Sequence, residues 1–356
     1  MSEEKNSNNE PAGSTEPSGE VNKEIQKQFL DFKKKFGNSV ALGSERYPSR
    51  IIPTGILALD HALGTGGWPT RHICGVFGPR DIGKSVIGLL AIASAQKIGM
   101  NCAWVAVEPN WDPDWAERHG VDTGNLIVAR PKNAEEALDQ LKIFVNSGVI
   151  DAVVFDSIGA MSSASENEEG GKARVGGNAA LITHGVRSIM NSVYTNDVWV
   201  LMLNQVRDKM NSRIPGVVEQ PGGHALEHAE TVIVQLKRSS ETVTTKINGD
   251  DVQIGHEVNA TIIRNKLSEG SRKTARYMFY SAEVEDHPFG VDWLEDIIAT
   301  AKRTNVIGQS GPYYYYEEEK YLGKKELAKF LTENPDKREK IRQDVLEALR
   351  GDKRDK

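Results

Sequence analysis

The sequence has little cysteine and no long apolar run, and both shortages exclude whole classes of protein. Only two cysteines, Cys74 and Cys102, occur in 356 residues. Two cysteines exclude a disulfide framework, and neither stands at a metal-ligand spacing. The apolar runs are short and interrupted, so we expect no membrane span. The first ten residues, MSEEKNSNNE, are acidic and polar and do not form a secretory signal. These absences predict a reduced, cytoplasmic α/β protein.

The charge balance gives no direct sign of a nucleic-acid partner. The chain carries 44 Lys and Arg against 50 Asp and Glu, for a net charge of −6. Local patches matter more than this sum, so nucleic-acid binding stays open. The length predicts about two domains, or one large domain with small appendages.

Between residues 50 and 240, short apolar runs alternate with stretches of helical length. This alternation predicts βαβ units and a mostly parallel sheet covered by helices on both faces. Three more apolar runs follow closely and predict antiparallel strands at one side of the sheet. The predicted strands are Ile73–Phe77, Cys102–Val107, Leu126–Ala129, Ala152–Phe155, Val198–Leu203, Thr231–Lys237, Gly255–Asn265 and Thr274–Phe279. The predicted helices are Lys84–Ile98, Ala134–Ser147 and Asn178–Tyr194.

The two ends of the chain differ from this central region. Residues 1–21 are acidic and almost free of apolar side chains, so we expect a disordered tail. Ile25, Phe29, Phe32 and Phe36 then recur at helical spacing, which predicts a helix with one apolar face. That face docks either on its own domain or on a neighbouring subunit. From Trp293 the chain becomes helical and charged, with a strand at Tyr313–Tyr316 and a helix at Arg338–Leu349.

The strongest local motif is GPRDIGKS, which begins at Gly78 and ends at Ser85. It matches the G-x-x-x-x-G-K-[ST] pattern of a phosphate-binding loop, with an apolar strand before it and a helix after it. Glycines let backbone N–H groups face phosphates, and the N-terminus of the helix adds positive potential. Lys84 is predicted to neutralise the β- and γ-phosphates, and Ser85 to supply a hydroxyl to Mg²⁺.

Two carboxylates stand at the ends of later strands. Asp156 follows the apolar run Val153–Phe155, which is the usual arrangement for a carboxylate held near magnesium and its water. Glu108 follows the strand Cys102–Val107 and is a candidate base for activating water. Together with the loop, these positions predict binding and hydrolysis of a nucleoside triphosphate.

Six stretches, taken in order, resemble the RecA recombinases of bacteria and phages. They are GPRDIGKS, VAVEPNWDPDWAERHGVDTGNL, VVFDSIGAMSS, LMLNQVRDKM, QPGGHALEHAETVIVQLKR and IIRNKLS. The resemblance runs from about Val21 to Leu349. It implies a P-loop NTPase core of RecA type, an N-terminal helix and a small α+β C-terminal domain. The implied divisions are a disordered tail (1–21), a polymerisation helix with its linker (22–48), the ATPase core (49–285), the C-terminal domain (286–350) and a short tail (351–356).

The resemblance also implies roles for individual residues. Glu108 polarises the attacking water, Gln205 senses the γ-phosphate, and Arg264 with Lys266 reaches the ATP of a neighbouring subunit. Bacterial members usually carry Lys where this chain has Arg264, and Tyr where it has Trp115. The implied ATP-binding residues are Gly78, Pro79, Arg80, Asp81, Ile82, Gly83, Lys84, Ser85, Val86, Asp112, Trp115 and Asp156, with Ser85 and Asp156 serving Mg²⁺.

Two glycine-rich segments with scattered cations are implied to be the loops that hold DNA, at 165–177 and 208–223. Both lack strand or helix patterning, and without the resemblance they read as mobile solvent loops. Their backbone N–H groups and cations suit phosphates without reading sequence. The first loop is locally acidic and the second has no aromatic residue. The implied DNA contacts are Lys172, Arg174, Gly176, Gly177, Asn178, Arg187, Arg207, Lys209, Met210, Asn211, Ser212, Arg213, Ile214, Gly222, Gly223 and His224.

The function implied is an ATP-dependent DNA recombinase that forms filaments on single-stranded DNA and exchanges strands with a duplex during recombination and repair. Implied partners are single- and double-stranded DNA, further copies of the chain, a single-stranded-DNA-binding protein and mediator proteins. The expected location is the bacterial cytoplasm or a phage-infected cell. Two alternatives are a RecA-like hexameric helicase, which would form closed rings, and a non-catalytic paralog. The QPGGHAL stretch argues against the first, and Lys84, Glu108 and Gln205 argue against the second.

Overall fold

The computed structural model describes residues 23–36, 49–161, 177–208, 218–220, 223–247, 249–268, 273–283 and 289–351. Contacts divide the chain into two units, Met1–Pro48 and Ser49–Lys356. The described part of the first unit is one helix, α1 (Lys23–Phe36). Its Phe32 and Phe36 rings lie 6.4 Å apart, as the predicted apolar face requires. Of the predicted tails, 1–21 and 351–356, residues 1–21 and 352–356 lie outside the described residues, and Gly351 is the last residue of a helix.

The second unit contains the remaining elements. Its helices are α2 (Leu57–Leu63), α3 (Lys84–Lys97), α4 (Pro113–Arg118), α5 (Ala134–Asn146), α6 (Gly177–Thr195), α7 (Gly223–Ala229), α8 (Trp293–Arg303), α9 (Gly323–Glu333) and α10 (Pro335–Gly351). Its strands are β1 (Ile51–Ile52), β2 (Trp68–Pro69), β3 (Ile73–Gly78), β4 (Cys102–Ala106), β5 (Leu126–Ala129), β6 (Ala152–Asp156), β7 (Trp199–Gln205), β8 (Arg207–Asp208), β9 (Val218–Glu219), β10 (Glu230–Ile247), β11 (Asp250–Asn265), β12 (Thr274–Tyr280), β13 (Gly290–Val291), β14 (Gly308–Ser310), β15 (Tyr313–Tyr316) and β16 (Glu319–Leu322).

Nine strands form the central sheet in the order β13-β12-β11-β10-β3-β7-β6-β4-β5. The pairs from β10 through β5 are parallel, whereas β10, β11, β12 and β13 pair antiparallel. This confirms the predicted parallel sheet with antiparallel strands on one side. The carboxyl ends of the parallel strands lie at one edge, which is where ligands bind in such folds.

Helices cover both faces because neighbouring strand residues point to opposite sides. Val154 packs with Ile87 and Ile92 of α3 in one apolar cluster. Val153 packs with Leu141 of α5 and Ile189 of α6 in another. The predicted helices exist, with ends that differ by one residue: α3 stops at Lys97, α5 stops at Asn146, and α6 spans Gly177–Thr195.

The predicted strands Thr231–Lys237 and Gly255–Asn265 are parts of a much longer hairpin. The strands β10 and β11 continue past the sheet and pair with each other as far as Ile247 and Asp250. The sequence of this extension is polar, RSSETVTTKINGDDVQI, so it shows no apolar run from which a strand could be predicted. Its backbone groups are paired within the hairpin, which needs no core face. The strand predicted at Val198–Leu203 also differs, since β7 runs from Trp199 to Gln205.

The last sixty residues form a small α+β region with its own apolar cluster. The strands β14, β15 and β16 make an antiparallel sheet, which confirms the strand expected at Tyr313–Tyr316. The predicted helix Arg338–Leu349 is longer in the structure, because α10 begins at Pro335, a residue well suited to a first helical position. A buried contact ties this region to the core: Asp296 of α8 accepts from the N–H groups of Leu57 (2.6 Å) and Ala58 (2.9 Å) at the start of α2.

In the part of the chain that the structure describes, no helix has both the length and the apolar character needed to cross a membrane.

Candidate nucleotide-binding site

The GPRDIGKS motif forms the turn between β3 and α3. Asp81 and Gly83 have positive φ angles of 57° and 92°, and Gly83 is the N-cap of the helix. The left-handed backbone at Gly83 favours glycine and points the first N–H groups of α3 out of the loop. Gly78 is packed too closely for a side chain, since an added Cβ would lie 2.9 Å from the carbonyl oxygen of Leu236. The loop therefore has the shape that a phosphate-binding backbone needs.

Lys84 lies over this loop. Its Nζ donates to the carbonyl oxygen of Pro79 at 2.6 Å. Burial lowers the pKa of Lys84, while the carboxylates of Asp156 and Glu108 act in the opposite direction. The ammonium group thus sits between the loop backbone and two acidic side chains, where a phosphate oxygen would compete for it.

Ser85 and Asp156 meet at the carboxyl ends of β3 and β6. The Ser85 Oγ donates to Asp156 Oδ2 at 2.7 Å. Burial raises the pKa of Asp156 to about 6, and the hydrogen bond from Ser85 opposes this rise. Among the described residues no group of three or more His, Cys, Asp or Glu side chains could hold a metal ion. A hydroxyl and one carboxylate nevertheless fit Mg²⁺, which usually takes one or two protein oxygens and completes its shell with water and phosphate.

Glu108 is the centre of a hydrogen-bond network beside Lys84. Its Oε1 accepts from Ser157 Oγ at 2.7 Å and from Gln205 Nε2 at 3.2 Å. Its Oε2 accepts from Asn110 Nδ2 at 3.4 Å. The Oε1 of Gln205 in turn accepts from Arg80 Nε at 3.4 Å. The predicted base and the predicted γ-phosphate sensor are therefore in direct contact.

These side chains line one cavity of about 650 Å³. The predicted residues on its wall are Arg80, Asp81, Gly83, Lys84, Ser85, Val86, Glu108, Trp115, Asp156 and Gln205. Three other predicted loop residues lie next to this lining. Gly78 ends β3, the carbonyl oxygen of Pro79 accepts from Lys84, and Ile82 is buried in the core. The structure thus brings together nearly all the residues expected at a nucleotide.

Trp115 and Asp112 border a second, smaller cavity of about 100 Å³ that shares Ser85 and Asp156 with the first. Asp112 Oδ1 caps α4 by accepting from the N–H groups of Asp114 (2.9 Å) and Trp115 (3.3 Å). The Trp115 ring is held edge-on by His119 and Phe289, with centroids 5.1 Å and 5.0 Å away. Burial lowers the pKa of His119 to about 4, so this ring is neutral at pH 7. The indole is fixed at the wall of the phosphate cavity.

Arg264 and Lys266 lie elsewhere on the chain's own surface. Arg264 Nη1 donates to the carbonyl oxygen of Glu227, and Lys266 Nζ donates to that of His228 at 3.0 Å. Arg264 is next to the last residue of β11 and Lys266 follows that strand. Through β10 both lie level with the first half of β3, whereas the phosphate-binding loop follows the end of β3. The pair cannot contact the phosphates bound by its own chain.

Most of the predicted DNA contacts lie outside the residues that the structure describes. Outside the described residues lie Lys172, Arg174, Gly176, Lys209, Met210, Asn211, Ser212, Arg213, Ile214 and Gly222. Gly177 and Asn178 begin α6, Arg187 is exposed further along it, and Gly223 and His224 begin α7. The expectation that the second loop has no strand is wrong at its base, because Arg207–Asp208 and Val218–Glu219 pair as a short antiparallel ribbon.

Several residues at the cavity were missed in the sequence. Asn110 stands two positions after Glu108, a spacing at which a polar side chain could have been considered. Arg238 donates to the carbonyl oxygen of Asp81 at 3.0 Å, and Phe279 and Ser281 line the cavity wall. These three come from the antiparallel strands far along the chain, and no local motif marks them.

A glycine loop between a parallel strand and a helix, with a hydroxyl, a carboxylate and a second acid at the same edge, defines a P-loop nucleoside triphosphatase. Comparison with known proteins gives the family. The model of the RecA N-terminal domain matches residues 23–285, and the model of the RecA C-terminal domain matches residues 295–350.

Full-length relatives agree. The chain is 34% identical over 317 residues to Protein RecA of Sulfurovum sp. (strain NBC37-1), covering 88% of each chain. It is 30% identical over 354 residues to Protein RecA of Mannheimia haemolytica, covering 98% of this chain and 93% of the relative. It is 31% identical over 336 residues to Protein RecA of Thermus aquaticus, covering 93% and 95%.

The chain belongs to the RecA family. It is a RecA-type recombinase, a DNA-dependent ATPase of DNA recombination and repair that binds DNA and forms filaments. The helicase and paralog alternatives are not favoured.

Proposed function

We propose that the 650 Å³ cavity hydrolyses ATP at a boundary between filament subunits, with Glu108 as the base that activates water. The observation that carries this proposal is the network at Glu108, whose Oε1 is held by both Ser157 and Gln205 within the cavity that contains Lys84. Two donors on one oxygen fix the carboxylate and leave its other oxygen toward Asn110.

In this proposal the loop backbone and Lys84 bind the β- and γ-phosphates. The Lys84 ammonium leaves the Pro79 carbonyl for a phosphate oxygen, since a charged acceptor makes the stronger bond. Arg80 is exposed at the same cavity and brings a second positive charge to the γ-phosphate. The N-terminus of α3 adds the potential of its free N–H groups.

Ser85 and Asp156 would hold Mg²⁺ in this site, which supplies charge neutralisation at the β- and γ-phosphate oxygens when bound. Their existing hydrogen bond places the two oxygens side by side. The rest of the chemistry is done by this chain's own groups.

Hydrolysis then follows the usual in-line course. The water oxygen forms a bond to the γ-phosphorus as the bond to the β–γ bridging oxygen breaks, and ADP leaves with that electron pair. Glu108 orients the water and accepts its proton at a carboxylate oxygen. Ser157 and Gln205 keep the carboxylate from turning away, so the base does not need to be ordered during the reaction.

Gln205 is proposed to report the γ-phosphate to the second loop. It is shared between Glu108 and Arg80, and it lies three residues before Asp208, where that loop begins. A γ-phosphate that draws Arg80 away removes one partner of the Gln205 amide. We propose that this rearrangement couples ATP to DNA contacts in the two loops, at 165–177 and 208–223.

The adenine is proposed to stack on Trp115, with Asp112 at its edge. Asp112 uses Oδ1 for the α4 cap, so Oδ2 is the atom proposed for the base. Arg264 and Lys266 are proposed to neutralise the phosphates of the neighbouring subunit, because their place on the sheet excludes those of their own chain.

We also propose the DNA contacts at both loops, and a division of the family fold into a core (49–285) and a C-terminal domain (286–350). The helix α1 (Lys23–Phe36), in the segment 22–48 expected to hold a polymerisation helix and its linker, is proposed to dock on a neighbouring subunit. A cytoplasmic location and contacts with single-stranded-DNA-binding and mediator proteins complete the proposal.

The proposed base is tested by Glu108→Gln, with the exposed Glu318→Gln as the matched control. We expect Glu108→Gln to lower single-stranded-DNA-stimulated ATP turnover at least about a hundredfold, the usual contribution of a general base. Binding of a fluorescent ATP analogue should stay within about twofold, because the amide keeps the shape of the site. Turnover of Glu108→Gln close to that of Glu318→Gln would contradict the assignment.

A further inference from the structure

The second loop returns to the sheet through a buried pair of side chains. Gln220 follows β9, and Glu230 is the first residue of β10, on the far side of the short helix α7. The Nε2 of Gln220 donates to Oε2 of Glu230 at 2.7 Å. Gln220 is 6% exposed and Glu230 is fully buried. A glutamate is rarely buried in this way without a specific reason.

The sheet has a place shaped for this carboxyl group. Gly75, in the middle of β3, has no side chain, and the Glu230 carboxyl occupies the space above it. A Cβ added to Gly75 would lie 2.1 Å from Glu230 Oε1 and 2.5 Å from its Cδ, so no other residue fits there without moving the carboxyl. The pairing of β10 with β3 is irregular between Glu230 and Val232, as expected where a side chain is inserted.

Burial favours the neutral form of this carboxyl group. Burial raises the pKa of Glu230 to about 8, and Glu227 adds to the rise, while the bond from Gln220 and the charges of Arg264 and Lys266 oppose it. Its Oε1 has no hydrogen-bond partner among the described residues. The carboxyl group accepts one hydrogen bond, at Oε2, and an amide of the same shape can accept it in its place.

Gln220 and Glu230 stand on either side of α7 in the chain. Within that helix, the carbonyl oxygens of Glu227 and His228 accept from Arg264 and Lys266. One short segment thus joins the end of the second loop to the two cations proposed for the neighbouring ATP. The bond between Gln220 and Glu230 ties the residue that follows β9 to the residue that follows α7, so we expect a displacement of Gln220 to be transmitted to the end of this helix.

We propose that Glu230 is a positioning residue: through Gln220 it fixes the returning end of the second loop to β3, and so couples DNA in that loop to Arg264 and Lys266. This proposal rests on the proposed DNA-binding role of the second loop. Glu230 touches neither nucleotide nor DNA. Its effect is expected in how ATP turnover responds to DNA, not in turnover without DNA.

The test compares Gln220→Ala, Glu230→Ala and Glu230→Gln with wild type. ATP turnover is measured without DNA and across a titration of a single-stranded oligothymidylate, and each variant is checked by thermal unfolding. We expect Gln220→Ala and Glu230→Ala to raise the half-saturating oligonucleotide concentration about five- to tenfold, as for loss of one buried hydrogen bond. Glu230→Gln should stay within about twofold of wild type, because its amide can still accept from Gln220. DNA-independent turnover should not change.

Further variants separate the ways in which the proposal can fail. The double variant Gly75→Ala/Glu230→Ala fills the space with a methyl group but restores no hydrogen bond. If its DNA response recovered, Glu230 would act only by filling space, and the proposal would be overturned. Unchanged half-saturation in Gln220→Ala would also overturn it, as would a Glu230→Gln variant as impaired as Glu230→Ala. If Glu230→Ala does not fold, Gln220→Ala decides.

Arg213→Ala tests the underlying role of the loop by direct binding of the oligonucleotide. Weaker binding of Arg213→Ala together with a normal Gln220→Ala response would remove only the Glu230 proposal. Unchanged binding in Arg213→Ala would instead count against the DNA role of the second loop.

Discussion

Two inactive variants of this protein should restore each other's ATP turnover when they are mixed. The first is Lys84→Ala, which loses the phosphate-binding ammonium. The second is Arg264→Ala/Lys266→Ala, which loses the cations proposed to act on a neighbour. In the proposed arrangement each site of the filament takes Lys84 from one subunit and the cation pair from the next, so in the mixture a site is whole only when the two contributors are of different types.

The structure supplies the distances behind this expectation. Arg264 pairs with Ile233, and Ile233 pairs with Gly75, so Arg264 lies level with the middle of β3 and Lys266 lies nearer the start of that strand. From Gly75 to Gly78 the strand rises about 10 Å, and β11 is two strand spacings, or about 10 Å, from β3, so Arg264 lies roughly 14 Å from the start of the phosphate-binding loop. No lysine or arginine side chain spans this separation. Action on the same chain's phosphates is excluded.

The assay is phosphate release with saturating single-stranded DNA. In an equimolar random mixture about a quarter of the sites combine an intact Lys84 with an intact cation pair on the adjoining subunit, as a head-to-tail interface requires. We therefore expect about a quarter of the wild-type rate, against near-zero rates for each variant alone. Lys325→Ala, an exposed substitution in the C-terminal region, serves as the control for loss of a surface charge. A mixture no more active than the sum of its parts, with both variants folded and bound to DNA, would refute the reasoning.

Three further outcomes are expected. Ser157→Ala removes the 2.7 Å donor to Glu108 and should lower kcat about tenfold with little change in KM, as measured by steady-state ATP turnover. Trp115→Ala should raise KM for ATP roughly tenfold, since a stacking surface for adenine is lost. An unchanged KM would show that adenine binds elsewhere. Burial raises the pKa of Asp60 from 3.8 to about 8, so its contribution to stability is complete at low pH and is lost as the pH rises through 8. In denaturant unfolding, the free energy of unfolding of Asp60→Asn should fall less steeply between pH 5 and 8 than that of the wild-type protein. The two slopes should differ by at most about 1.4 kcal/mol per pH unit. Equal slopes would count against a buried neutral acid at Asp60.

The parts of the fold that could be predicted from the sequence are those with a local signal. The phosphate-binding loop, its strand and its helix lie within 25 residues, and each has a residue pattern with a direct physical cause. Apart from the edge strand β5, the parallel strands are buried on both faces, which makes them continuous apolar runs. Glu108 and Asp156 follow such runs, so their meeting at one edge of the sheet could be expected.

The remainder depends on contacts between distant parts of the chain. The extension of β10 and β11 is polar, and only the pairing of the two strands makes it a hairpin. Arg238 reaches Asp81 across 157 positions, and Asp296 caps α2 across 239. Glu230 has no pattern that marks it as buried, because the space it fills is created by Gly75 on another strand. Such residues are found only when the strands are assembled.

The most direct measurement is DNA strand exchange between a single-stranded circle and a homologous linear duplex, in the presence of ATP. The wild-type chain should convert the duplex into joint molecules and then into exchanged products, with ATP turnover that rises when single-stranded DNA is added. Glu108→Gln should bind the single strand and ATP but fail to sustain turnover, and Lys84→Ala should give neither turnover nor products. ATP turnover that is indifferent to DNA, with no joint molecules formed by the wild-type protein, would contradict a recombinase in which the nucleotide site and the DNA loops act together.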